Sequence, residues 1–258
     1  MKKFLVVLAF VFQASTAWSA VVGESVGYKH GDVQLEGYLA YDDASEALRP
    51  GILVIHEWKG LGEYAKRRAR DLAELGYIAF AADMYGKEVR PETHEEAAKQ
   101  AGIYKNDRGL MRARVEAALG VLRTHPMVDA SKLGAVGYCF GGTTVLELAR
   151  SGADLKGVVS FHGALSTPNP EDAKNIKAKV LVEHGGDDTF VSPEEVEQFR
   201  KEMIDAKVDM RLKIQPGAVH SFTVKEAGDD PSKGMAYNEA ADKQSWDDMK
   251  AFFVEVFA

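Results

Sequence analysis

The sequence predicts an α/β fold, a mostly parallel central sheet of about eight strands covered by helices on both faces. Three observations carry that expectation. Short uninterrupted apolar runs such as Gly51-Ile52-Leu53-Val54-Ile55 recur along the chain, as they do in strands buried on both sides. They alternate with helical stretches of roughly 10 to 15 residues, the pattern of right-handed crossovers between parallel strands. The 258 residues are 46% hydrophobic and 28% charged, ordinary for one globular α/β domain.

Residues 1–20 stand apart from that pattern. Lys2 and Lys3 precede an apolar run from Phe4 to Phe12, and small residues follow through Ala20. This is the layout of a secretory signal peptide, and the run is too short to span a bilayer. The expectation is therefore a secreted or periplasmic product with no membrane attachment after cleavage, folded as a single domain over residues 21–258. No repeat, low-complexity tract or linker interrupts that span.

Residues 25–41 alternate apolar and polar side chains around His30-Gly31-Asp32, which suggests a β-hairpin. Buried strands are expected at 51–56, 77–82, 132–138, 157–161 and 179–183, and an alternating one at 208–214. Helices are expected at 63–75, ended by Gly76, and in the Glu- and Ala-rich stretch after Pro91. Others are expected at 108–124, 141–150, 192–206 and 237–257. Ser192 with Glu195 three residues on reads as a capping box.

The formal charge is −7, and removal of the leader with its two lysines leaves about −9. That balance argues against a nucleic-acid partner, which favours a basic face. Lys66-Arg67-Arg68-Ala69-Arg70 reads as the solvated side of one helix. There is no phosphate-loop or dinucleotide fingerprint, and the histidines lack zinc-ligand spacing, so no metal and no cofactor are expected.

Cys139 is the only cysteine, so no internal disulfide can form. It sits in Gly137-Tyr138-Cys139-Phe140-Gly141, a nucleophile-elbow pattern with cysteine in the serine position, after an expected strand and before an expected helix. Chains with this elbow run nucleophile, acid, histidine. Downstream lie the strand-end pair Asp187-Asp188 and then the loop histidine in Val219-His220-Ser221-Phe222, giving the order Cys139, Asp188, His220.

These features resemble the dienelactone hydrolase family of α/β-hydrolases, from about Gly51 to the C-terminus. The resemblance rests on His56-Glu57-Trp58, Ala82-Asp83-Met84-Tyr85, the cysteine elbow, Gly185-Gly186-Asp187-Asp188-Thr189-Phe190-Val191 and Val219-His220-Ser221-Phe222, with Tyr237, Ala240 and Trp246 in the closing helix. It implies an α/β-hydrolase fold and cleavage of a small-molecule ester or lactone by a Cys-His-Asp triad. Asp188 falls on the triad acid and Asp187 on a variable position. The resemblance also gives Glu57 a contact with the nucleophilic thiol and a part in its activation. Backbone N–H groups of Trp58 and Phe140 would form the oxyanion hole.

The pattern departs from the family at one place. An arginine that holds the substrate carboxylate is expected four residues after the histidine, where Val224 stands, followed by Lys225. Tyr85, Lys87, Arg90 and Lys225 are the candidate substrate-binding residues. A lysine lacks the bidentate fork of arginine, so a broad ester or lactone range is expected. Two rival expectations keep the fold: a hydrolase of peptides or thioesters on the same triad, and an exported binding protein without turnover. A monomer is expected.

Overall fold

Eight strands form one sheet: β1 (Val21–His30), β2 (Val33–Asp42), β3 (Arg49–Ile55), β4 (Ile78–Ala82), β5 (Val128–Tyr138), β6 (Gly157–Phe161), β7 (Lys179–Gly185) and β8 (Met210–Gln215). Their spatial order is β1-β2-β4-β3-β5-β6-β7-β8. The computed structural model describes residues 20–258, and the export signal read from the sequence lies outside the described residues except for Ala20. β1 pairs antiparallel with β2, and β2 antiparallel with β4; every other pairing is parallel.

The central strands β3, β4 and β6 are buried on both faces, as their unbroken apolar runs require. Alternate residues feed two cores. Leu53, Ile55, Phe80 and Leu133 pack beneath α2 (His94–Asn106), α3 (Arg108–Arg123), α4 (Phe140–Arg150) and α5 (Pro193–Asp205). Ile52, Val54, Val136 and Phe161 pack beneath α1 (Glu63–Glu74) and α6 (Glu239–Val256). Each fully buried side chain of this size contributes roughly 1.5–3 kcal/mol against the entropy of ordering the chain.

Several boundaries differ from the sequence expectation for identifiable reasons. β5 starts at Val128 rather than at 132. Arg49 and Pro50 pair with Val128 and Asp129, then the register jumps so that Gly51 faces Leu133. The polar stretch between those pairs hides the strand's first turn from any periodicity. Ser192 does cap α5, accepting from the Glu195 N–H at 3.2 Å. The expected box is not closed, because the Glu195 carboxylate instead accepts from the N–H groups of Leu165 (2.6 Å) and Ser166 (2.9 Å). A complete box occurs at α2, between Thr93 and Glu96.

α4 is buried along its whole length, so its polar side chains must find partners inside the protein. Glu147 pairs with Arg112 and Arg150, and Arg150 also pairs with Glu202 and donates to the Leu165 carbonyl. This network fixes the helix that carries the elbow. The carboxyl ends of β3, β5, β7 and β8 gather Glu57, Cys139, Asp188 and His220 at one edge of the sheet. No helix among the described residues is long and apolar enough to cross a membrane.

Candidate active site

The elbow is built by its glycines. A β-carbon on Gly137 would lie 2.0 Å from the Gly141 carbonyl oxygen, and one on Gly141 would lie 2.2 Å from the Ile55 carbonyl oxygen. Only glycine permits that closeness, and it brings the start of α4 against the end of β3. Cys139 between them adopts φ 54° and ψ −112°, a conformation that costs a non-glycine residue about 1–3 kcal/mol. The turn holds because Cys139 donates its N–H to Phe161 O at 3.0 Å and accepts from Thr143 N at 3.2 Å. Its side chain is half-buried and sits at the positive end of the α4 dipole.

His220 lies 3.1 Å from the sulfur through Nε2 and 2.8 Å from Asp188 Oδ2 through Nδ1. Asp188 Oδ1 accepts the Phe190 N–H at 2.8 Å, so both carboxylate oxygens are used. His220 N donates to Gly234 O and its carbonyl accepts from Ala236 N, which pins the long loop after β8. Burial alone would lower the imidazole pKa. The sulfur of Cys139 and the Asp188 carboxylate outweigh it and lift the group to about 10. Asp187, by contrast, is exposed.

Glu57 is half-buried beside this pair. Burial raises its carboxyl pKa, opposed by the neighbouring His220 and by the Ser221 hydroxyl, which donates to Oε1 at 3.2 Å. The sulfur bonds to His220, and Glu57 bonds to Ser221. The N–H groups of Trp58 and Phe140 have no hydrogen-bond partner among the described residues.

A cavity of about 260 Å³ opens over the sulfur. Trp58, Phe140, Ala164, Phe190, Val191 and Met235 make it largely apolar, and Lys105 from α2 is its one charged wall residue apart from Cys139 and His220. The four candidate substrate residues do not line it. Lys87 pairs with Glu36, and Arg90 donates to Gly86 O and Val89 O and lies 3.6 Å from Asp83. Lys225 sits over the Tyr237 ring. Tyr85 is buried and donates its hydroxyl to Trp58 O at 2.9 Å, supporting the wall from behind.

Other residues at the site gave no sequence signal beyond their type. His162 packs edge-on to His220 at 5.3 Å and bonds Thr223, which bonds Tyr64. Burial holds His162 well below its usual pKa, hence neutral. Lys105 and Met235 reach the cavity from a helix end and a loop, where spacing carries no information. Among the described residues, no group of three or more His, Cys, Asp or Glu side chains could hold a metal ion.

The model of the dienelactone hydrolase family matches residues 35–257. The chain belongs to the dienelactone hydrolase family. The match begins within β2, ahead of Gly51 where the sequence resemblance started. The α/β-hydrolase fold of the family is seen again in a crystal structure from metagenomic libraries, described as a dienelactone hydrolase-like promiscuous phosphotriesterase. It is 40% identical, with a TM-score of 0.89 over 93% of this chain and 100% of that one. A Salmonella typhimurium family protein, "Putative carboxymethylenebutenolidase", is 28% identical over 86% of this chain and 83% of its own length. A Bradyrhizobium relative, "Probable 2-oxo-3-(5-oxofuran-2-ylidene)propanoate lactonase", is 29% identical over 67% of this chain and 73% of its own.

Proposed function

We propose that this dienelactone hydrolase family member cleaves small carboxylic esters and lactones through an acyl-cysteine intermediate. Family membership makes the chain an ester or lactone hydrolase. The observation that supports the finer mechanism is the continuous hydrogen-bonded line Cys139 Sγ, His220 and Asp188 at the floor of an apolar cavity.

The raised His220 holds on Nε2 the proton drawn from the thiol, and the sulfur attacks the carbonyl carbon. The carbonyl π pair moves to oxygen, and the N–H groups of Trp58 and Phe140 receive that charge. Losing one such donor typically slows turnover about a hundredfold or more. Collapse breaks the C–O bond, and the imidazolium protonates the leaving alkoxide. Water, deprotonated by His220, then attacks the thioester, and sulfur departs as the acid is released. Asp188 holds the imidazole with its Nδ1 proton inward and stabilises the cation. Glu57, with its raised pKa and its place beside His220, offers a second proton acceptor next to the imidazole.

The apolar wall favours neutral aryl esters and lactones. Neutral aryl phosphotriesters are a second substrate class, supported by the 40% identity to the phosphotriesterase structure. The test is a panel of aryl acetates, lactones, peptides and an aryl phosphotriester. Turnover of esters or lactones but not peptides supports the reading. Peptide turnover alone would replace it, and no turnover of any member would favour a binding protein.

A further inference from the structure

His56, which none of the steps above uses, stands two residues before Trp58, which lines the cavity. It is 1% exposed and makes two hydrogen bonds. Its Nδ1 lies 2.5 Å from the Glu57 carbonyl oxygen, and its Nε2 lies 3.2 Å from the Met84 backbone N–H. A backbone N–H can only donate and a carbonyl can only accept, so these partners select one tautomer: Nδ1 carries the proton and Nε2 accepts. Burial lowers the pKa of the group to about 4, so this neutral form persists at neutral pH. The ring is wedged between Tyr85 at 4.9 Å and Phe140 at 5.9 Å.

The carbonyl that receives the Nδ1 proton belongs to the same peptide unit as the Trp58 N–H. That oxygen also accepts the Gly60 N–H at 3.2 Å. Two donors on one carbonyl fix the plane of its amide and draw electron density toward oxygen, which strengthens the N–H at the other end as a donor. On the far side of Trp58, the Tyr85 hydroxyl holds the next carbonyl. We propose that His56 is a positioning residue for the oxyanion hole, aiming and polarising the Trp58 N–H through the Glu57 carbonyl. The proposal rests on the acyl-cysteine reading above and adds to it a neutral imidazole whose only function in the reaction is exerted through backbone.

Two variants divide the two hydrogen bonds. In His56→Asn the side-chain amide occupies the place of Nδ1 and keeps the donor to Glu57 O while losing the acceptor for Met84. In His56→Gln the amide reaches the place of Nε2, keeping the Met84 acceptor and losing the donor to Glu57. Three readouts apply to each in the full mature protein: kcat and KM for an aryl acetate, affinity for an aryl trifluoromethyl ketone, and the iodoacetamide alkylation rate. The ketone adds sulfur at its carbonyl and places an oxyanion in the hole. Alkylation displaces iodide from a saturated carbon and uses no oxyanion hole.

The glutamine variant is expected to lose at least about tenfold in kcat and in ketone affinity, less than outright removal of a donor, with KM and the alkylation rate near wild type. The asparagine variant is expected to stay near wild type in all three. Equal loss in both variants, or loss that follows melting temperature or alkylation rate, would show a merely structural histidine and overturn the proposal, as would wild-type ketone affinity in His56→Gln. Failure of the acyl-cysteine reading gives a different result: the wild-type protein itself would neither bind the ketone through Cys139 nor lose activity on alkylation.

Discussion

Replacing Asp188 by asparagine removes one oxygen from a carboxylate that uses both. Oδ1 accepts the Phe190 N–H and Oδ2 the His220 Nδ1 proton, each at 2.8 Å. An asparagine has one acceptor for these two donors. With its oxygen toward Phe190, the amide NH2 faces Nδ1, which must then give up its proton. The proton moves to Nε2, against the sulfur, and the imidazole can no longer accept from the thiol. With the amide reversed, NH2 meets the Phe190 N–H, and an unsatisfied buried donor costs about 1–3 kcal/mol. Either way the competent tautomer is lost or penalised. The expected decrease in kcat/KM is roughly 10³- to 10⁴-fold, or about 4–5.5 kcal/mol of transition-state stabilisation. The pH profile should move as well. A raised His220 stays protonated up to about pH 10, so protonation of the leaving group persists to that pH in the wild type. Loss of the carboxylate removes two of the influences that raise it, and the alkaline limb should shift to lower pH. The assay is initial-rate hydrolysis of an aryl acetate from pH 6 to about 10.5, with the exposed Asp187→Asn as the control, expected to be close to silent. Asp188→Asn activity within tenfold of wild type, or an equal loss in Asp187→Asn, would refute the assignment of the acid.

Three further outcomes are expected. Cys139→Ser should retain only weak esterase activity, because a hydroxyl is far less acidic than a thiol and the imidazole must then do all the work of activation; near-wild-type rates would show a site suited to an oxygen nucleophile. Lys105 is exposed, so its attraction for an anionic substrate should be worth about 0.2–1 kcal/mol and be screened by salt. The kcat/KM ratio for a matched acid and methyl ester should then fall toward one at high ionic strength and in Lys105→Ala, whereas a large salt-insensitive preference would require a fixed cation. Burial raises Glu183 to about 8, and its Oε1 has no partner among the described residues. Its raised pKa favours the fold below about pH 4.5 and loses that contribution as pH rises through 8. Glu183→Gln should therefore be close to neutral near pH 4.5 and stabilising at pH 8, by roughly 1–3 kcal/mol. A pH-independent difference in denaturant midpoint would contradict this.

The parts of the fold that the sequence made legible were those decided locally. β6 was read at its observed limits, Gly157–Phe161, because a strand buried on both sides is an unbroken apolar run. The elbow was legible because its steric demand falls on two glycines two residues either side of Cys139. The crossing of β3 and β4 in the sheet order was not, since pairing partners are chosen across the whole chain. Nor was the bulged start of β5. At the site, residues that end strands were found, and residues that reach it from helix ends and loops were missed. Lys105, Ala164 and Met235 line the cavity without any periodicity to mark them. Lys87, Arg90 and Lys225 were singled out as cations near the places where the resemblance expects carboxylate-binding arginines. Each has nearer partners in Glu36, the carbonyls of Gly86 and Val89, or the Tyr237 ring. Side-chain charge alone could not say which way they turn. His56 was read as part of the His56-Glu57-Trp58 motif and as a histidine without metal-ligand spacing, but given no role, because its two backbone hydrogen bonds appear only once the ends of β3 and β4 lie side by side.

In the proposed mechanism Cys139 carries the acyl group. The direct measurement is intact-protein and peptide mass spectrometry after rapid acid quench during turnover of an aryl acetate, with Cys139→Ala run in parallel. An acetyl adduct on the Cys139 peptide that forms and decays at rates matching turnover, together with loss of hydrolysis in Cys139→Ala at unchanged melting temperature, is the predicted result. Turnover that survives in Cys139→Ala at more than a few per cent of wild type, or an adduct on another residue, would contradict it.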